Sequence, residues 1–131
     1  MAAPLLLHRV SCAVAAGFPS PAEDYYDGPV DLTAALVPNP ASTFVVRVSG
    51  NSMEGAGIFD GDELLVDRSL PVANGRVVVA VLDGEFTVKR LARRGGRVCL
   101  EAEHPDYAPI LVHDGADFRV WGVVRTVIHH V

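Results

Sequence analysis

Lysine is all but missing from this chain: Lys89 stands alone, and the other ten basic side chains are arginines. Basic residues of either kind are also outnumbered by 16 Asp and Glu, which leaves a formal charge of −5. That sign is unfavourable for general binding to a phosphate backbone, which relies on Lys and Arg to displace counterions. Cysteine is scarce as well. Cys12 and Cys99 lie far apart and form no CxxC pair, which argues against a disulfide framework and for a reduced, cytoplasmic setting. No stretch approaches the ~18 consecutive apolar residues of a membrane span. The opening "MAAPLLLHRVSCAVAAGF" holds Ala13-Val14-Ala15, a pattern resembling a signal-peptide cleavage site. It lacks the charged region that precedes such a site, and His8-Arg9 interrupt its apolar run, so secretion is not expected.

What the chain has in quantity is apolar side chains, half of its 131 residues, enough for a single packed core. Residues 17–42 hold five of the nine prolines and read as an extended arm. One short helix is expected within the arm at Asp31 to Val37, with Asp31 as N-cap and Pro38 and Pro40 beyond its end. From Thr43 onward, "TFVVRVSG", "DELLVD", "RVVVAVLDGEFTVKRLA", "RVCLEA" and "DFRVWGVVRTVIHHV" are β-branched or aromatic runs divided by turn residues. These predict a mainly β domain over 43–131. Asp83-Gly84 is a strong hairpin signal, and "RRGG" at 93–96 is a second turn.

Ser52, in "VSGNSMEGAGIFDGDELLVD", raises a chemical question: it is either a polar turn residue or a nucleophile. A serine hydroxyl attacks poorly until a base takes its proton. None of His8, His104, His113, His129 and His130 stands in a nucleophile motif, and each reads as a surface or satisfied polar residue. The G-x-S-x-G elbow fails because position 54 is Glu, and "DGDE" at 60–63 lacks the spacing of a calcium loop. Lysine is the remaining base, because it can lose its proton when desolvated whereas arginine cannot. Lys89 falls on the second arm of the expected hairpin, where strand alternation sets Thr87, Lys89 and Leu91 on one face. A surface-hairpin lysine is the plainer alternative.

"SGNSMEGAGIFDGDELLVD", followed 37 positions after Ser52 by Lys89 in "DGEFTVKRL", resembles the LexA/UmuD family of self-cleaving S24 serine peptidases. "GFPSPAEDYYDGPVDL" and "FRVWGVVRTVIHHV" resemble the UmuD branch in order and spacing. The resemblance implies the compact, β-rich fold of that family's C-terminal domain, with a flexible N-terminal arm. It also implies Ser52 as nucleophile, Lys89 as general base, and the backbone N–H groups of Asn51 and Ser52 as the oxyanion hole. Neither a cofactor nor a metal is expected.

Family members cut their own chain between a small residue and glycine, which points here to Ala16-Gly17, just before the proline-rich arm. Cleavage would remove residues 1–16. By resemblance, the shortened form would serve a UmuC-type polymerase in error-prone translesion synthesis, triggered by a RecA filament on single-stranded DNA. The family also implies a homodimer. Sixteen residues before the scissile bond cannot hold a helix-turn-helix module, so a repressor with sequence-specific DNA binding is not expected. Two other readings compete: a binding module that keeps the fold without cleaving, and a signal peptidase, which would need a membrane anchor. The cluster "KRLARRGGR" at 89–97 reads as an exposed hairpin within an acidic whole.

Overall fold

The computed structural model describes the chain except residues 1–4, 12, 20 and 22–25, so Cys12 lies outside the described residues. The chain divides into two compact units, residues 1–38 and 39–131.

In the first unit, β1 (Leu6–Val10) pairs antiparallel with β2 (Tyr26–Asp31), Leu7 opposite Val30 and His8 opposite Pro29. Local composition does not announce either strand, because the pairing is long-range and proline dominates the stretch leading into β2. Pro29 is tolerated because each strand of a two-stranded ribbon has one side that needs no ladder donor. The helix α1 (Leu32–Leu36) follows as the sequence predicts: Asp31 is its N-cap, and its Oδ1 accepts from the Ala34 N–H at 3.2 Å.

The second unit is a seven-stranded antiparallel sheet in the order β3-β4-β9-β5-β6-β7-β8. Its strands are β3 (Thr43–Arg47), β4 (Glu63–Asp67), β5 (Val77–Leu82), β6 (Glu85–Arg94), β7 (Arg97–Glu101), β8 (Ile110–Leu111) and β9 (Phe118–Ile128). The fold is thus mainly β, with α1 the one α-helix among the described residues. No helix among the described residues is long and apolar enough to cross a membrane. Of these seven strands only β8 had no signal in the sequence, which is unsurprising for two exposed residues.

The unbroken apolar runs of β4 and β5 lie inside the sheet, where both faces are covered. β5 serves two cores by alternation. Val79 joins Val48, Met53, Ile58, Leu64 and Val66, while Val78 and Ala80 join Leu91, Leu100 and Val123. The β5–β6 turn is Asp83-Gly84, both at positive φ (48° and 83°), the geometry of a type I′ hairpin. Gly95-Gly96 closes the β6–β7 hairpin in the same manner.

β9 lies between β4 and β5, and its register slips once against each of them. Gly122, beside the second slip, packs so closely that a Cβ there would stand 2.5 Å from Val66 Cγ1. At the end of β4, the fully buried Asp67 carboxylate accepts from Asn39 Nδ2 (2.8 Å), Ser42 Oγ (2.7 Å), Ser69 N (2.9 Å) and Ser69 Oγ (2.7 Å). Led by the Asn39 amide, these donors hold the carboxyl far below the usual carboxylate range. They tie the loops on either side of the β3–β4 pair.

Candidate active site

Ser52 sits in the connection from β3 to β4. Gly50 turns the chain at φ +101°, and its N–H donates to Asp60 Oδ1 at 2.8 Å. Met53 and Ile58, both buried, pin the segment to the core, with a short 3-10 turn (Glu54–Ala56) between them. The loop is closed at its base by Val48 N–H to Asp62 O (2.8 Å) and Gly61 N–H to Val48 O (2.9 Å). Its far side is held by Glu103, whose N–H donates to Ser52 O at 2.9 Å and whose carbonyl accepts from Gly55 N–H at 2.8 Å. Both ends of the serine turn are therefore fixed by backbone hydrogen bonds, which no side-chain rotation can release.

Lys89 reaches this serine from β6. It is only 9% exposed, and its Nζ lies 3.1 Å from Ser52 Oγ, 3.0 Å from Thr87 Oγ1 and 3.2 Å from the Val88 carbonyl. Burial, unrelieved by any carboxylate, pushes the amine below its ordinary range. The three neighbours match both protonation states. An ammonium can donate to all three; a neutral amine can donate to Thr87 and Val88 and turn its lone pair to the Ser52 hydroxyl.

Ser52 and Lys89 line a cleft of about 440 Å³ whose apolar side is built by Val46, Val79, Phe86 and Trp121. No histidine lines it. His129 instead pairs with Asp62, His104 packs edge-on against Tyr107, and His113 faces Asp83. Two of the three carboxylates of "DGDE" are taken up by the protein itself: Asp60 by Gly50, and Asp62 by the Phe59 N–H and His129. Among the described residues, neither the Asn51 nor the Ser52 N–H is engaged by another protein acceptor. Both remain available to a bound carbonyl oxygen.

Ala16 and Gly17 belong to the first unit, where both are exposed in an irregular bend between β1 and β2. Three arginines of the basic cluster have carboxylate partners within the second unit. Arg90 pairs with Glu103, Arg94 with Glu101 at 2.9 Å, and Arg97 with Asp114 at 3.5 Å. Lys89 is turned into the cleft, and Arg93 has no ion pair among the described residues.

A sequence profile for S24-like peptidases matches residues 7–125 of the chain. The chain belongs to the S24-like peptidase family. Protein MucA of Salmonella typhimurium is 43% identical over 129 residues, covering 97% of this chain and 85% of MucA. Protein ImpA of Shigella flexneri is 44% identical over 116 residues, 87% of this chain and 77% of ImpA. The LexA repressor of Cupriavidus taiwanensis is 44% identical over 115 residues, 88% of this chain but 52% of the repressor. The LexA/UmuD-type S24 assignment expected from the Ser52 and Lys89 motifs therefore holds.

Several parts of this candidate site left no mark in the sequence. Strand alternation put Thr87 on the face of Lys89, yet nothing marked it as the lysine's hydrogen-bond partner. Glu103 acts through its backbone, which any residue type would offer. Tyr107, whose hydroxyl donates to Asn51 Oδ1 at 2.7 Å, is far from Asn51 in sequence and lies in no recognisable motif. Phe86 and Trp121 look in sequence like ordinary strand aromatics, and only the sheet order brings them to one cleft.

Proposed function

We propose that this chain is a self-cleaving Ser-Lys peptidase of the UmuD type, which cuts its own Ala16-Gly17 bond. The observation that carries the reading is the 3.1 Å approach of a buried, carboxylate-free Lys89 amine to Ser52 Oγ at the wall of a cleft. A lysine serving only as a surface charge would have no reason to be desolvated there.

In the proposed reaction, neutral Lys89 takes the Ser52 proton as Oγ bonds to the Ala16 carbonyl carbon. The carbonyl oxygen becomes an oxyanion held by the Asn51 and Ser52 N–H groups. Collapse breaks the C–N bond, and the Lys89 ammonium returns its proton to the departing Gly17 amine. Water, deprotonated by the same lysine, then hydrolyses the ester and frees Ser52. Thr87 and the Val88 carbonyl hold the amine in place throughout, which suits a base that must act twice. Small residues on both sides of the bond let the carbonyl approach the turn closely, and the exposed bend at Ala16 and Gly17 suits presentation to a cleft.

The shortened form, residues 17–131, acts in this reading as the accessory subunit of an error-prone translesion polymerase of the UmuC type. The protein works in the cytoplasm as a homodimer, and a RecA filament on single-stranded DNA triggers cleavage. Support for this biological setting comes from the family, not from any bound partner.

Intact-mass spectrometry of the full chain, with and without RecA–single-stranded-DNA filaments, tests the substrate assignment. The expected result is a loss matching residues 1–16, absent in Ser52→Ala and in Gly17→Glu. A loss at another bond, or one that persists in Ser52→Ala, would overturn it.

A further inference from the structure

The segment from Glu103 to Tyr107 touches the serine turn at three separate points. Glu103 N–H donates to Ser52 O (2.9 Å), Gly55 N–H donates to Glu103 O (2.8 Å), and Tyr107 Oη donates to Asn51 Oδ1 (2.7 Å). The third differs in kind, because it is the only one made by side chains. Tyr107 is itself braced. The His104 ring meets it edge-on at a centroid distance of 5.3 Å, His104 Nδ1 accepts from the Asp106 N–H (3.1 Å), and the Tyr107 N–H donates to His104 O (3.2 Å). The same segment is tied to the strand of Lys89, because the Glu103 carboxylate pairs with Arg90, the next residue along β6.

We propose that Tyr107 is a positioning residue for the cleavage reaction. Its phenol holds the Asn51 side chain and so fixes the orientation of Asn51, whose two flanking peptides carry the Asn51 and Ser52 N–H groups. This rests on the peptidase reading above, and it extends that reading to a residue outside the cleft. The reasoning is geometric. Asn51 follows Gly50, a residue at positive φ with open space around it. The Asp60 bond holds the peptide before Gly50, and a long Glu54 N–H bond (3.4 Å) holds the carbonyl of Asn51. The peptide between Gly50 and Asn51 makes no hydrogen bond among the described residues. Without Tyr107, Asn51 would keep its place in the chain while its N–H lost a fixed direction. An oxyanion donor works by being aimed before charge develops, so this loss falls on the rate and not on the base.

The test is a double-mutant cycle on the full chain, reading self-cleavage rate against pH by intact mass, with urea midpoints measured in parallel. Tyr107→Phe should lower the plateau rate about fivefold, the rate equivalent of about 1 kcal/mol for one hydrogen bond. The pH at half-maximal rate should not move, because Lys89 is untouched. Asn51→Ala should lose a similar factor, and the double variant should be no slower than Asn51→Ala alone.

A Tyr107→Phe rate equal to wild type would overturn the proposal, as would full additivity in the double variant. A rate loss tracked by a fall in the urea midpoint would assign Tyr107 a merely structural role and overturn it too. The peptidase reading fails separately: in that case folded wild-type chain cleaves at no pH, and the positioning role falls with it.

Discussion

Replacing Gly55 by alanine should damage catalysis more than stability, and the structure gives the size of both effects. Gly55 needs no unusual φ; it is glycine because of what it faces. A Cβ there would stand 2.7 Å from the Glu103 carbonyl oxygen and 3.3 Å from the Glu103 carbonyl carbon, against 3.4 Å for ordinary contact. Glu103 backbone must therefore retreat by about 0.7 Å, which stretches the 2.8 Å Gly55–Glu103 bond to about 3.5 Å, the edge of a hydrogen bond. The Glu103–Ser52 bond weakens with it. Two bonds at about 1 kcal/mol each, offset by about 0.4–1 kcal/mol for a stiffer unfolded chain, leave a net loss of about 1 kcal/mol. At a urea slope of about 2 kcal/mol/M this lowers the midpoint by about 0.5 M. The rate should fall about 10- to 100-fold, since a displacement near 1 Å at a reacting group costs on the order of 100-fold.

Gly57→Ala is the matched control. Gly57 has open space around it and φ +79°, so alanine there meets strain of about 1 kcal/mol but no clash. It should lose comparable stability and keep its rate within about threefold. Urea titration and timed intact mass, run on both variants, decide the matter. A Gly55→Ala chain cleaving at the wild-type rate would refute the reasoning, and so would a Gly57→Ala chain as slow as Gly55→Ala.

Two further predictions concern the fold. Burial holds the Lys89 pKa below its unfolded value, so between the two values the unfolded chain binds more protons and stability rises with pH. Below the folded pKa the penalty is present in full. Lys89→Met should therefore be more stable than wild type near neutrality, with the gap closing as pH rises towards about 10.4. Urea midpoints across that range would contradict this if the gap stayed constant or widened. Gly122→Ala drives a methyl against Val66 Cγ1 and should cost about 1–3 kcal/mol. Val66→Ala in the same background should recover part of that loss, and calorimetry showing no recovery would place the strain elsewhere.

How much could be read in advance depended on the range of the interaction that decided it. Asp31 at the start of α1, Asp83-Gly84 between β5 and β6, and the apolar runs of β4 and β5 act locally, and the structure follows them. Ser52 and Lys89 stood out because their residue types carry chemistry and because one of them is the sole lysine of its chain. β1 and β2 were hidden because each exists only through the other, and the proline-rich stretch between them reads as unpaired. The Glu103 clamp was hidden for a different reason. Backbone groups are the same in every residue, so no composition could show that this one grips the serine turn. Gly55 and Gly122 read in sequence as turn or strand glycines, yet their role is close approach.

The pH dependence of self-cleavage in the full chain, measured by intact mass from pH 6 to 11 beside Ser52→Ala and Lys89→Ala, tests the central claim most directly. The account predicts a rate that rises about tenfold per pH unit and then levels off below the ordinary lysine pKa of about 10.4, with both variants inert. A flat profile, or cleavage that survives Lys89→Ala, would contradict it.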